Sequence, residues 1–122
     1  MTTTVYVLDA DPQERTWIET ALAPTMGAVV FVQDRAGLLA RPPLADRACL
    51  LAFADRDETA ALALVTALRR TGSKLPVIVL GPLSAFRTAV DIARLEATDF
   101  LERPVSAHAL CGAIRRVCTA VA

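Results

Sequence analysis

The sequence predicts a doubly wound α/β fold, a five-stranded parallel sheet flanked by five helices, and two observations carry that reading. Short apolar, β-branched runs alternate with segments of helical spacing along the whole chain. Each run is short enough for a strand and apolar on both faces, the pattern of a parallel sheet whose successive strands need a helical crossover. At 122 residues, with 54% hydrophobic and 21% charged, the chain holds one domain, expected to span 1–122.

The first strand is Val5 to Leu8. Asp11-Pro12-Gln13-Glu14 then places an N-cap carboxylate, a proline at the first helical position and a glutamate three residues after the cap. That helix runs to about Ala23, with Ile18, Ala21 and Leu22 on its inner stripe and Trp17 off it. The second strand is Ala28 to Val32, and Asp34 caps a short helix through Ala40, after which Arg41-Pro42-Pro43 forces an extended loop. The third strand, Cys49 to Ala54, precedes a helix from Glu58 to Arg70. Its inner stripe is Ala61, Leu64, Val65 and Leu68, arginines sit at its carbonyl end, and Gly72 stops it. The fourth strand is Val77 to Leu80, followed by a helix over roughly Ala85 to Glu96 with Phe86, Ala89, Val90, Ala93 and Leu95 inward. The fifth strand, Asp99 to Glu102, is pinned by Pro104, and Ser106 caps a last helix carrying Leu110, Ile114, Val117 and Val121 on one face.

Composition excludes several function classes. Thirteen basic and thirteen acidic residues give no net charge, so no global field draws the chain to nucleic acid or an anionic membrane. Lys74 is the sole lysine, a bias that reflects genome composition more readily than function. Cys49, Cys111 and Cys118 form no C-x-x-C, and His108 has no companion at ligand spacing, so neither a disulfide framework nor a zinc site is expected. The cysteines read as free packing thiols, and His108 as a first-turn surface residue. Met1-Thr-Thr-Thr lacks a basic start and the run after it is broken by Asp9 and Asp11, so no signal peptide is expected, nor any membrane span. A cytoplasmic location fits this pattern best.

In a doubly wound sheet, ligands bind outside the carboxyl ends of the strands. Those ends read Leu8-Asp9-Ala10-Asp11, Phe53-Ala54-Asp55-Arg56-Asp57, Leu80-Gly81-Pro82 and Glu102-Arg103-Pro104. No Gly-rich phosphate loop follows any strand, and no Ser–His pair or nucleophile elbow is present.

The acidic cluster after the first strand, the helix beginning directly behind it and the Asp99-Phe100-Leu101-Glu102-Arg103-Pro104 ending resemble the response-regulator receiver domain, the CheY-like module of two-component signalling. The resemblance covers essentially the whole chain, runs without gaps against receivers of the NarL/FixJ type, and implies the strand order 2-1-3-4-5. In that family two adjacent carboxylates bind Mg²⁺, an aspartate ending the third strand takes the phosphoryl group, a Ser or Thr after the fourth strand hydrogen-bonds it, and a Lys before the last Pro neutralises it. The chemistry is mostly positioning and charge stabilisation.

Carried over residue by residue, most of this is missing. Asp9 matches the first carboxylate, Ala10 stands where the second belongs, and Asp11 matches a frequently acidic third position. Phe53 occupies the acceptor position, Gly81 replaces the hydroxyl residue and Arg103 replaces the lysine. Arginine prefers bidentate carboxylate geometry, so Arg103 is expected to pair with Asp9 or Asp11. Phe100 stands where the family keeps an aromatic residue that follows the switch. The resemblance also implies a cis Arg103–Pro104 bond.

The pattern therefore reads as an atypical, or pseudo-receiver, domain: no enzyme, no cofactor, no Mg²⁺ site, and a phosphorylation-independent interaction module. A slip of two residues would make Asp55 the acceptor; otherwise Asp55 or Asp57 caps the third helix. A third reading is a flavodoxin-like small-molecule binder using Asp11, Asp55 and Pro82. The expected partner is a protein, whether a kinase, an output domain or another regulator. The alternative is a second copy meeting the face of the fourth helix, fifth strand and fifth helix through Arg87, Asp91, Arg94, Phe100 and Glu102, with Arg115 and Arg116 nearby. Trp17 is either packed against a neighbouring helix or a partner contact.

Overall fold

The computed structural model describes residues 3–23, 28–40, 48–54, 58–82, 90 and 99–121. In chain order the elements are β1 (Thr4–Leu8), α1 (Pro12–Leu22), β2 (Ala28–Val32), α2 (Arg35–Ala40), β3 (Ala48–Phe53), α3 (Glu58–Arg70), β4 (Val77–Gly81), β5 (Asp99–Glu102) and α4 (Ala107–Val121). The five strands form one sheet, every pair parallel as the sequence pattern predicts, in the order β2-β1-β3-β4-β5 that the resemblance implies. The order reverses between β1 and β3, so the crevice beyond their carboxyl ends is where a site is expected.

Alternation along the strands builds two cores, because successive side chains point to opposite faces. On one face Val5, Val7, Cys49, Leu51, Ile78 and Leu80 meet Ile18 and Leu22 of α1 and Leu110, Ala113, Ile114 and Val117 of α4. On the other, Leu50, Ala52, Val77 and Val79 meet Leu38 of α2 and Ala61, Leu64, Val65 and Leu68 of α3. At roughly 25 cal/mol per Å² of apolar area buried, these two layers supply the main driving force for folding.

The helix boundaries follow their capping chemistry. The Asp11 carboxylate accepts the Glu14 N–H at 2.8 Å while Glu14 Oε1 accepts the Asp11 N–H at 3.1 Å, a complete capping box with Pro12 inside it. Asp34 accepts the Gly37 N–H and Ser106 the Ala109 N–H, so both predicted caps are present. Gly72, at φ 86°, takes the left-handed conformation beyond α3 that glycine adopts without strain. The Arg103–Pro104 bond is cis.

Trp17, off the inner stripe of α1, is partly buried and packs against the core cluster of Ile18 and Leu22, the packing alternative of the two the sequence offers; a large ring reaches the core from a flanking position that a smaller side chain would not. One expectation is corrected. Val90, expected inward, is helical but 38% exposed. Spacing decides which residues share a face, not how fully that face is covered. The rest of the segment predicted as a helix over 85–96 lies outside the described residues, as do Asp55 and Asp57. No helix among the described residues is long and apolar enough to cross a membrane.

Candidate functional site

The end of β1 supplies the first wall. The Asp9 N–H donates to the Val32 carbonyl at 2.9 Å, extending the β1–β2 ladder by one residue, and Asp9 then turns into the left-handed region at φ 56°. Aspartate tolerates that conformation better than most side chains. Ala10 points inward, 6% exposed, into the core of α1 and α4. Asp11 lies half-buried at the helix start, its carboxylate engaged with the Glu14 N–H.

Phe53 ends β3 beside this wall and packs against the same core cluster as Ala10. The Arg103 guanidinium lies over its ring, 5.1 Å from the centroid, and its Nη2 donates to Glu14 Oε2 at 2.9 Å. The arginine is thus held by a ring face on one side and a carboxylate on the other. Arg103 reaches this position because its N–H donates to the Gly81 carbonyl at 2.8 Å, fixing the β5 end against β4.

The sequence expectation that Arg103 pairs with Asp9 or Asp11 is corrected in its first part, and the observed carboxylate is Glu14. Asp9 faces outward, 54% exposed, with Arg35 Nη2 at 4.0 Å, and Arg35 also donates to the Ala60 carbonyl at 3.1 Å. Glu14 points inward because its capping role already draws its side chain back over the first turn. The signal that would have found it is the capping box itself, which fixes where the carboxylate sits. Glu14→Ala, which removes a capping partner and the Arg103 ion pair together, is expected to cost about 1–2 kcal/mol in urea unfolding, and Glu14→Gln clearly less.

Gly81 sets the position of Phe100. A Cβ at residue 81 would stand 3.1 Å from the Ala54 Cβ and 3.3 Å from the Phe100 Cζ, closer than carbon atoms ordinarily approach. The ring therefore lies against the bare backbone of β4, packed with the α2–α3 core.

A cleft of about 590 Å³ opens at the strand ends, with Asp9, Asp11, Glu14, Arg35, Ala52 and Phe53 in its wall. Among the described residues the side-chain donor set does not fit a divalent cation of the kind the resemblance implies. Ala10 has no side-chain oxygen to offer, Asp11 caps a helix, and an arginine stands near Asp9. Among the described residues no group of three or more carboxylate, histidine or cysteine side chains is placed to hold a metal. Of the residues considered for a small-molecule site, Asp11 lines the cleft, Pro82 does not, and Asp55 lies outside the described residues. Of the candidate interface, Glu102 is exposed and Phe100 half-buried, the exposed Arg116 pairs with Asp99 at 2.8 Å, and Arg87, Asp91 and Arg94 lie outside the described residues.

No protein-family model matches the chain, and no curated protein matches it in sequence. Solved structures match in fold. The response regulator receiver protein from Pseudoalteromonas atlantica superposes with a TM-score of 0.79 at 23% identity, over 98% of this chain and 99% of that one. Full-length FixJ from B. japonicum matches with a TM-score of 0.78 at 24% identity, over 98% of this chain but 61% of that one. A CheY-like protein, tadZ, from Pseudomonas aeruginosa matches with a TM-score of 0.75 at 25% identity, over 94% of this chain and 98% of that one. The chain has the fold of response regulator receiver domains.

Proposed function

We propose that this chain is a receiver-like regulatory domain of two-component signalling that acts by binding a protein partner and runs no aspartyl-phosphate cycle. The observation that carries the reading is Phe53. A benzyl group stands at the end of β3, beneath the arginine that a phosphoryl group would otherwise engage, and that arginine is already committed to Glu14. Aligned on the receiver pattern, no oxygen remains at position 53 to accept phosphate and no hydroxyl at position 81 to report it.

The same residues support a single fixed conformation. In this reading Phe100 is held against Gly81 in the absence of any signal, and the surface formed by β5 and α4 is presented constitutively. Its partner is a kinase, an output domain or another regulator. The longer chain of FixJ makes an output domain joined in the same polypeptide the natural comparison. The domain is regulatory rather than catalytic, has no cofactor, and makes no direct contact with nucleic acid or membrane.

Incubation with acetyl phosphate and Mg²⁺, followed by intact mass measurement, is expected to leave the mass unchanged. A gain of one phosphoryl group that disappears in Asp55→Asn would replace this reading with a phosphorylatable receiver using Asp55. Native mass spectrometry of the purified chain addresses the small-molecule alternative, and a retained ligand would favour it.

A further inference from the structure

Three thiols lie in the core formed by α1, α4 and the sheet, and the fold uses them differently. Cys111 sits on α4 facing α1, where its Sγ lies 3.6 Å from the Ala21 carbonyl. Cys118, two turns further along the same face of α4, meets Cys49 of the central strand β3, and the two thiols are hydrogen-bonded side chain to side chain. Cys49 is fully buried and Cys118 9% exposed. Sixty-nine positions separate them, so only the folded chain brings them together.

We infer that Cys49 and Cys118 are an oxidisable pair, which a small-molecule disulfide such as oxidised glutathione converts to a disulfide tying α4 to the centre of the sheet. The step is an exchange in two stages. The Cys118 thiolate attacks one sulfur of the oxidant, forming a mixed disulfide and expelling one glutathione thiolate. The Cys49 sulfur then displaces the second glutathione from Cys118 and closes the bond. Two cysteine thiols are oxidised, one disulfide is reduced to two glutathione thiols, and the two protons given up by the cysteines pass to them.

The order follows from position. Cys118 lies in the final turn of α4, and helix ends open more readily than central strands. The hydrogen bond to the Cys118 thiol, and then burial, push the Cys49 thiol well above its ordinary range, which makes Cys49 the later of the two to react. Cys111, turned toward α1, is bypassed. Closure removes the freedom of α4 to slide over β3, and small helix shifts are a common means by which proteins change the surface they present. The thiol state of the core thereby sets how mobile the β5–α4 surface is.

The test is exposure of the folded chain to excess oxidised glutathione near pH 8, quenching with acid, and intact mass with peptide mapping. The expected result is a loss of about 2 Da, reversed by dithiothreitol, with Cys49 linked to Cys118 and Cys111 still alkylatable. Cys111→Ser is expected to keep the loss and Cys118→Ala to abolish it. Three free thiols after prolonged exposure, a bridge that includes Cys111, or a persistent glutathione adduct on Cys118 would each overturn the inference. The outcome is independent of phosphoryl uptake, which the acetyl phosphate experiment reads separately.

Discussion

Phe53→Ala is expected to lower the unfolding free energy by about 2–4 kcal/mol, measured by urea denaturation with an unchanged slope. Full truncation of a buried phenylalanine costs about 3–5 kcal/mol, and the lower figure follows because this ring is only partly buried. Part of the loss comes from Arg103, whose guanidinium forfeits the ring face, an interaction worth about 0.5–1 kcal/mol at a half-exposed site. Phe53→Leu keeps most of the apolar volume without the ring and is expected to cost about 1 kcal/mol. A cost below about 1 kcal/mol for Phe53→Ala would mean that the ring is not part of the packed core. Phe53→Asp separates stability from chemistry. It restores a carboxylate at the end of β3, yet Ala10 still supplies no metal ligand and Gly81 no hydroxyl, so it is expected not to take up phosphate from acetyl phosphate.

The architecture was legible because strand runs and caps are local signals. Asp11-Pro12-Gln13-Glu14 sets the start of α1 within four consecutive residues, and the structure shows Asp11, Pro12 and Glu14 in the roles their types imply. The apolar runs of β3 and β4 are buried on both faces, and all residues of β4 and five of the six in β3 are fully buried. What spacing does not convey is how much of a face another element covers. Trp17 and Val90 lie on opposite sides of that limit, one reaching the core from a flanking position and the other left exposed.

The cleft was legible in membership more than in pairing. The strand ends name Asp9, Asp11 and Phe53 of its wall, and Gly81 and Arg103 at the neighbouring strand ends, without any structure, since topology alone brings those ends together. That Glu14 is a partner of Arg103 was not legible, because it depends on side-chain direction. Asp9 turns outward through a left-handed backbone, whereas Glu14, three residues beyond the helix cap, is aimed inward by its own hydrogen bond to the Asp11 N–H. Arg35 went unnoticed for a similar reason. Nothing in its neighbourhood on the chain suggests Asp9 or the carbonyl of Ala60, which lie 26 and 25 positions away and are reached only once α2 and α3 pack on the sheet.

Gly81→Thr is expected to destabilise the fold by about 1–3 kcal/mol, and its sign is informative. A glycine inside a strand ordinarily costs roughly 0.5–1 kcal/mol, so an added side chain in open space, β-branched as strands favour, would stabilise. At this position the new Cβ meets the Ala54 Cβ at 3.1 Å and the Phe100 ring at 3.3 Å, and the γ atoms of threonine enlarge the conflict. Ala54 is carried by the backbone and cannot yield, so the strain falls on the ring. In a Phe100→Ala background the same substitution is expected to cost markedly less, giving a coupling of about 0.5–3 kcal/mol in a double-mutant cycle. Strict additivity would show that the ring and residue 81 do not share space, and with it the case for a ring held inward by the bare backbone would fail. If the coupling is found, a partner selected for the inward ring binds Gly81→Thr more weakly than the parent chain while still accepting Gly81→Ala better, because the smaller side chain displaces the ring less.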